Sequence, residues 1–413
     1  MSAVTTVGTT TKPSGRRPGR ALRLVAVAAL ALTGLVVPST TASAAEPCAD
    51  GWSPLTVYTG GDVASADGRN WSAKWWTRGQ DPAGNSGRWE VWADQGPCDD
   101  GSPGDPGDPG DPGDPGDPPP SAPGTLAAAP YLYPGWGAPP SPSAVMRETG
   151  VRAFTMAFVL ADGCRPVWDG EGGLTGGVHA RFVDEIQQAG GTVIPSIGGW
   201  SGNKLGPACP DAASLAAAYQ QVIDTFGLGA IDIDIENSDE FENPEVADRI
   251  VGALKIIEAD NPGITTIVTF GTSPSGPTYW GKRLITRAKE IGAPIDVYTQ
   301  MPFDFNGGAD MYAATVGASE GLNAELRAVH GWSEAEAYAH MGISGMNGLS
   351  DQREVTTPET WTRIRDWAAA RGLARFTFWA VNRDRGCPDG GVTSTCSGIA
   401  QEDWAFTRIT AGY

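Results

Sequence analysis

One segment constrains the fold of this chain more than any other: residues 229–236, with the sequence GAIDIDIE, alternate isoleucines with carboxylates. Alternation at period two predicts a β-strand, on which residues i, i+2 and i+4 share one face. The isoleucines then face an apolar layer, while Asp232, Asp234 and Glu236 point together to the other side. Three like charges on one face repel and raise one another's pKa, which adds nothing to the stability of a fold. We therefore interpret the row as a functional site.

Two other interpretations of the acidic row are open from the pattern alone. An exposed acidic strand face is common, and a calcium loop also gathers carboxylates, although it needs turn residues and a glycine between its ligands. The flanking segments favour a site: residues 218–226 are typical of a helix, and another helix is predicted from Pro244. A strand between two helices, with acids at its C-terminal end, is where an α/β barrel places its catalytic residues.

The first 44 residues are typical of a secretory signal. Four arginines precede an apolar run over residues 24–37, and the small residues 42–44 end the segment. A membrane anchor is the alternative, but the run is too short to span a bilayer comfortably. We therefore expect a secreted, extracellular protein that is not embedded in a membrane.

Charge and histidine content exclude several classes of function. The predicted signal holds five basic and no acidic residues, so its removal takes the formal net charge from −19 to −24. Such a surface argues against nucleic acid and anionic membranes as partners, and it does not repel a neutral polymer. The three histidines, His179, His330 and His340, have no ligand-like spacing. We expect no metal site, no Ser-His-Asp system, no cofactor and a monomeric protein.

The cysteines and one low-complexity run suggest how the chain is divided. Six cysteines in a secreted context favour disulfides. A Gly-Asp-Pro repeat over residues 103–120 has no apolar side chain to bury, so it is predicted to be an extended spacer. By proximity and domain we expect the pairs Cys48–Cys98, Cys164–Cys209 and Cys387–Cys396. The expected divisions are a signal over 1–44, a small all-β module over 46–98, a linker over 99–125 and a large domain over 130–413.

The small module contains too many tryptophans for its core. So small a domain cannot bury six indoles, and exposed rigid aromatics suit stacking on sugar rings. A core role remains open for some of them, but not for both Trp75 and Trp76 in a strand, because adjacent side chains face opposite ways. The stretch 57–79 resembles the chitin-binding modules of carbohydrate-binding families 5 and 12. That resemblance implies that Trp75 and Trp76 form the binding surface.

The large domain alternates strand-like and helical runs. Eight such repeats in series favour a closed (β/α)8 barrel of the TIM type over a doubly wound sheet, with the acidic row on strand four. Helices are expected at 212–226, 244–259 and 358–371, among other places. The predicted strands are 131–136, 152–159, 192–197, 230–236, 265–271, 295–301, 337–343 and 376–381.

Motifs at other strand ends resemble a known family. The acidic row, the Ser-Ile-Gly-Gly sequence of residues 196–199 and the segment Trp379 to Asp384 together resemble glycoside hydrolase family 18 chitinases. The ending from Cys387 to Gly398 is similar to a bacterial branch of that family. The resemblance implies an endochitinase that acts on chitin and N-acetylglucosamine oligomers. It also implies substrate-assisted catalysis, in which the sugar's own acetamide attacks the anomeric carbon.

The resemblance assigns roles to the acids. Glu236 would protonate the leaving oxygen, Asp234 would orient the acetamide, and Asp232 would share a proton with Asp234. Trp379 would form the apolar floor of the central subsite, although buried packing is an equal alternative from the residues alone. Four further residues are expected in the substrate site: Met301, Asp304, Gly198 and Tyr133.

One departure from the family and two alternative functions matter. Phe303 occupies the place of a tyrosine that donates a hydrogen bond to the acetamide in the family, so that donor is missing or comes from elsewhere. An endo-β-N-acetylglucosaminidase could use the same acids, and a lectin-like barrel could bind chitin without cleaving it. Such lectins commonly lose the acid at the place of Glu236. Residues 342–376 leave room for only one loop and one helix, which predicts an open groove and internal cleavage.

Overall fold

The acidic row forms the fourth strand of a parallel barrel. The computed structural model describes residues 46–53, 56–75, 77–78, 80–86, 91–99, 126–387 and 390–413. The predicted signal, nearly all of the predicted linker, and the side chains of Trp76 and Trp89 lie outside the described residues.

Eight strands form the barrel wall in the order of the chain, each parallel to the next. The first and last strands are joined where the Phe376 amide donates to Ala127 O at 2.8 Å and Thr377 Oγ1 donates to Ala129 O at 2.6 Å. The expected fold class is confirmed. The strands are β1 Tyr131–Leu132, β2 Ala153–Asp162, β3 Thr192–Gly198, β4 Ala230–Ile235, β5 Thr265–Ser273, β6 Val297–Met301, β7 Met341–Met346 and β8 Arg375–Trp379.

In the described residues, each of the eight barrel strands is followed by one principal helix. Local signals fix their ends: Asp211 accepts from Ser214 N at the start of the third, and Gly227 ends it in the left-handed conformation. The helices expected at 212–226 and 358–371 have those bounds, and the one from Pro244 runs one residue longer than expected. They are α1 Pro142–Thr149, α2 Gly177–Gln188, α3 Ala212–Phe226, α4 Pro244–Asp260, α5 Tyr279–Ile291, α6 Met311–His330, α7 Pro358–Arg371 and α8 Ala405–Ala411.

The two faces of β4 separate the apolar and acidic residues as the alternation predicts. Ile231, Ile233 and Ile235 are buried in the main apolar core, between the sheet and the helices. Asp232 and Asp234 are buried as well, but on the inner face of the barrel. An exposed acidic strand is therefore the wrong interpretation of the pattern.

Two predicted strands have one end displaced by four residues, while the ends of the other six agree with the observed ones within three residues. The seventh begins at Met341 and not at residue 337, because Ser333 and Glu336 form a capping box that starts a short helix over Glu334–Tyr338. The first strand ends at Leu132, four residues early. Pro134 and the glycines that follow it favour a turn there.

The small module is all-β, as expected. One sheet holds Glu46–Pro47, Trp92–Asp99, Arg69–Ala73 and Val63–Ala66, in that order, and Val57–Tyr58 pairs with Thr77–Arg78. Trp71 and Trp92 are buried in its core beside Tyr58. A core role is thus correct for these two tryptophans.

All three expected disulfides are present: Cys48–Cys98, Cys164–Cys209 and Cys387–Cys396. Between β7 and β8 the chain forms a short hairpin of Gly348–Leu349 with Val355–Thr356, followed by α7. This interval holds no additional domain, which matches the expected open groove. No described helix combines the length and the apolar character that crossing a bilayer requires.

Gly198, at the end of β3, offers a test of the fold next to the acidic row. Its φ is +121°, and a Cβ there would lie 2.1 Å from Asp234 O. We expect Gly198→Ala to lower the free energy of unfolding by at least about 3 kcal/mol, because it adds backbone strain to a steric clash. Urea unfolding measures this.

Gly271, at the end of β5, is the matched control. A Cβ there meets no atom within 4 Å, so Gly271→Ala should change stability little. Equal stability of the two variants would contradict the close approach of β3 and β4.

Candidate active site

A large cleft opens at the carboxyl ends of the barrel strands. Its volume is about 840 Å³, and Asp234 and Glu236 both line it. In α/β barrels this end of the strands is where catalytic groups gather. Other lining residues include Tyr131, Tyr133, Trp136, Phe158, Trp200, Met301, Phe303, Asp304, Ser344, Asp351, Trp379 and Arg383.

Asp232 lies at the bottom of the acidic row and is saturated with hydrogen bonds. Its two oxygens accept from Tyr131 Oη at 2.7 Å, Ser196 Oγ at 2.8 Å, Thr269 Oγ1 at 2.6 Å and Arg375 Nη1 at 3.1 Å. Both charges of the Arg375–Asp232 pair are fully buried. A carboxylate accepts about four hydrogen bonds, so Asp232 is held in place as a fixed negative charge.

Among the described residues no hydrogen bond joins Asp232 to Asp234. The negative charge of Asp232 contributes to the raised pKa of Asp234. The proton shared between the two acids stays a prediction.

Asp234 has the opposite surroundings. It is 3% exposed, and its Oδ1 has no hydrogen-bond partner among the described residues. Burial raises its pKa well above the ordinary value, and the negative charges of Glu236 and Asp232 raise it further. An unpaired carboxyl oxygen beside a cleft is suited to accept a hydrogen bond from a bound molecule.

Glu236 follows directly after β4 and is only partly accessible from the cleft. Burial raises its pKa to about 7; the charge of Lys204 lowers it, and those of Asp304 and Asp351 raise it. A carboxyl group with this pKa still carries its proton near neutral pH, as a general acid must.

An aromatic cluster forms the floor of the cleft. Trp379 stacks on Phe158 with ring centroids 5.5 Å apart and meets Tyr131 edge to face at 5.8 Å. Tyr133 also contacts Trp379, at 6.2 Å. Trp379 therefore both packs and lines the cleft, and the two interpretations of this residue are compatible.

The structure shows which of the other predicted site residues line the cleft. Tyr133, Met301 and Asp304 line the cleft, but Gly198 does not belong to its lining. The role of Gly198 is in the backbone, where the absence of a side chain lets Gly199 N donate to Asp234 O at 2.9 Å. The glycine pattern located the site but did not identify a residue that contacts a ligand.

Two residues of the Trp379–Asp384 segment stabilise the barrel. Asn382 donates to Tyr133 O and to Trp136 O, both at 2.8 Å, and so fixes the turn after β1. Asp384 accepts from the amide and the hydroxyl of Thr407, both at 2.7 Å, and anchors α8. The motif thus combines two cleft residues, Trp379 and Arg383, with two structural ones.

Several site residues carry weak or no signal in the sequence. Arg375, Lys204 and Asp351 are isolated charged residues in unremarkable contexts, and an isolated charge predicts an exposed side chain. Arg375 is the first residue of β8, one residue before the predicted start of that strand. The only clue to its burial was that a side chain at this end of a barrel strand can point inward. No group of three or more His, Cys, Asp or Glu side chains in the described parts of the chain could hold a metal ion.

The described tryptophans of the small module are more covered than expected. Trp75 is half-buried: it packs against the module's core, and a Cβ at Gly229 of the barrel would lie 3.1 Å from its indole. Gly229 precedes β4, at the end opposite to the acids.

The small module matches a known family. Residues 51–93 match the sequence profile of carbohydrate-binding module family 5/12. An endoglucanase of Microbulbifer sp. (strain ALW1), MaCel5A, is 41% identical over 49 residues, which cover 12% of this chain and 10% of that protein.

The barrel is similar to proteins described as chitinases. A probable bifunctional chitinase/lysozyme of Escherichia coli (strain K12) is 26% identical over 307 residues, which cover 69% of this chain and 34% of that protein. Endochitinase 11 of Metarhizium anisopliae is 25% identical over 271 residues, which cover 62% of this chain and 52% of that protein. The chain thus spans less than two thirds of either relative.

Solved structures of chitinase domains also align with this chain. Active domain 2 of a thermostable chitinase from Pyrococcus furiosus, complexed with chito-oligosaccharides as catalytic-site mutants, aligns with a TM-score of 0.63 at 26% identity. That alignment covers 69% of this chain and 93% of that one. The catalytic domain of a hyperthermophilic chitinase from the same organism aligns with the same TM-score at 27% identity, over 69% and 95%. The barrel is thus similar to chitinase domains, and residues 51–93 match the family 5/12 carbohydrate-binding module.

The protonation of Glu236 in this barrel is directly testable. Because its pKa is raised to about 7, the carboxyl group should lose its proton only as the pH rises through neutrality. Carbon-13 NMR of labelled glutamate, with the Glu236 signal assigned by its loss in Glu236→Gln, should show this midpoint. Asp304→Asn should lower the midpoint, since it removes a negative charge. A midpoint near the ordinary glutamate value of about 4.3 would contradict the burial described here.

Proposed function

We propose that this chain is a secreted endochitinase that hydrolyses internal β-1,4 bonds of chitin by substrate-assisted, retaining catalysis. The observation that carries the proposal is the pairing of two unlike acids in one cleft. Glu236 holds a proton near neutral pH, while Asp234 presents an unpaired, buried oxygen a short way along the same strand.

The proposed reaction begins with the acetamide of the bound sugar. Its carbonyl oxygen attacks the anomeric carbon as Glu236 protonates the departing glycosidic oxygen, so the glycosidic bond breaks as a bond to the acetamide forms. Asp234 accepts the acetamide N–H and stabilises the positive charge that develops on this nitrogen. Water, deprotonated by Glu236, then opens the ring intermediate, which restores both the acetamide and the protonated acid.

The cleft surroundings support each part of this proposal. Trp379 offers an apolar face for the central sugar, and the exposed indoles of Trp136 and Trp200 lie further along the cleft. The short interval between β7 and β8 leaves the cleft open at the side, which favours cleavage within a polymer.

The division of the chain is part of the proposal. We assign a signal to residues 1–44, a chitin-binding module to 46–98, a linker to 99–125 and the catalytic barrel to 130–413. The three disulfides are consistent with an extracellular location.

Two alternatives use the same barrel. An endo-β-N-acetylglucosaminidase would act on glycoprotein glycans, and a lectin-like barrel would bind chitin without cleaving it. The family 5/12 module favours chitin over glycans, and the presence of Glu236 favours catalysis. Release of soluble oligosaccharides from colloidal chitin separates the three functions, since only the proposed one yields them.

Substitution of Glu236 tests the assignment of the acid. Glu236→Gln should fold normally and reduce the hydrolysis of chitin oligomers by about 100- to 10,000-fold, because it removes the general acid. Glu242→Gln, an exposed change in the loop that follows, is the control and should retain full activity. Near-normal hydrolysis by Glu236→Gln would refute the assignment.

If the small module binds chitin, substitutions in it should weaken adsorption to the polymer without slowing the hydrolysis of soluble oligomers. Trp75→Ala combined with Trp76→Ala should reduce both adsorption to crystalline chitin and its hydrolysis, because the module raises the local concentration of cleavable chains. Hydrolysis of soluble oligomers should remain near normal, since Gly229, beside Trp75, lies at the opposite end of β4 from the acids.

Val63→Ala, at an exposed apolar position of the same module, is the control for adsorption. Unchanged adsorption of the double variant would place the binding surface elsewhere. An equal fall in soluble hydrolysis would show that the module and the barrel are coupled.

A further inference from the structure

Lys204 is buried beside the acid but belongs to a different part of the barrel. It precedes a short helix, Leu205–Ala208, in the loop that follows β3, and its side chain is 2% exposed. Lysine is almost never buried this far without a partner. Its position therefore needs an explanation that the proposed mechanism does not supply.

The hydrogen bonds of Lys204 hold the rim of the cleft. Nζ donates to Ser201 O at 2.9 Å and to Gly202 O at 3.3 Å, and both of these residues line the cleft. A second hydrogen bond ties the same loop to the residue after the acid: Asn237 Nδ2 donates to Trp200 O at 2.6 Å. The loop is thus fastened both by its own lysine and by the residue after the acid.

The ammonium group makes no ion pair within 4.0 Å among the described residues. Two carboxyl groups are nevertheless close enough to interact with its charge, Glu236 and the buried Glu240. Glu240 accepts from the Gly206 amide, and its other oxygen is buried without a partner. Burial raises the pKa of Glu240 to about 8, so near neutrality Glu240 is largely uncharged and leaves the charge of Lys204 to act on Glu236.

Charged groups reach Glu236 from several elements. Lys204 faces it from the loop after β3, Asp304 from the loop after β6 and Asp351 from the loop after β7. Asp234 precedes it on β4, and Glu240 follows in its own loop. Of these groups only Lys204 is positive, so it alone favours the ionised form of the acid.

We propose that Lys204 is a positioning residue for the proton donor: its hydrogen bonds fasten the loop after β3 at the rim of the cleft that Glu236 lines, and they hold its buried ammonium on that side of the site. The inference rests on the proposed function of Glu236 as the acid. Lys204 itself touches no reacting atom. Its charge stabilises the carboxylate that Glu236 becomes after giving its proton to the leaving oxygen, and without that charge the acid is weaker.

The test is the pH dependence of kcat/KM on a soluble chitin oligomer. Lys204→Met should move the alkaline limb of the profile upward by about one pH unit and lower kcat. Lys204→Arg keeps the charge and should leave the limb in place, as should Glu240→Gln, because Glu240 is mostly protonated below pH 8. A folded Lys204→Met with an unmoved limb, or a limb moved equally by Lys204→Arg, would overturn the inference.

A measurement on the unaltered side chain covers the case in which Lys204→Met does not fold. The carbon-13 shift of Lys204 Cε should show an inflection near pH 7, where Glu236 titrates, and this inflection should disappear in Glu236→Gln. Its absence from the parent protein would also overturn the inference. Because NMR needs no turnover, this result stands apart from the proposed function, which is tested separately by the release of product from chitin.

Discussion

The burial of negative charge inside the barrel is the constraint on which the rest of this structure depends. Asp232 and Asp234 lie on the inner face of β4, where a charge without a partner costs several kcal/mol. Arg375 and three hydroxyl groups, from β1, β3 and β5, compensate Asp232. Four other strands are therefore required to hold one carboxylate.

Asp232 is compensated by these donors and Asp234 is not. This difference between the two acids determines what each can do in the site. Asp234 lies two residues further along β4, and its Oδ1 has no donor among the described residues. Burial and the negative charges of Glu236 and Asp232 therefore raise its pKa. Glu236 lies two residues further again, where the cleft begins, with Lys204 on one side and Asp304 and Asp351 on others. Strand β4 and the residue after it thus present, in order, a carboxyl group whose hydrogen bonds are filled, an unpaired acceptor, and an acid whose pKa is raised to about 7.

The sequence predicted the structure well where residue periodicity or a local capping motif determines it. The alternation in residues 229–236 located the acids, and the caps of α3 and α7 fixed those helices to the residue. It was less informative where distant contacts decide. Arg375 is buried only because Asp232, 143 residues away, requires it.

Gly198 illustrates the same limit at short range. Its pattern led to the prediction of a substrate-site residue, but the pairing of β3 with β4 shows that the atom next to Gly198 is Asp234 O. The capping box at Ser333 is visible in the sequence, yet the predicted β7 began at residue 337, inside the short helix that this capping box starts.

The most direct test of the central claim is the stereochemistry of the first product. Attack by the acetamide and then by water gives two inversions, so cleavage of a β-linked N-acetylglucosamine oligomer should release the β-anomer first. Proton NMR of products recorded before mutarotation distinguishes the two anomers. Initial release of the β-anomer would agree with the arrangement of Asp234 and Glu236 described here. Initial release of the α-anomer would contradict it, because a single direct attack by water would then replace the acetamide.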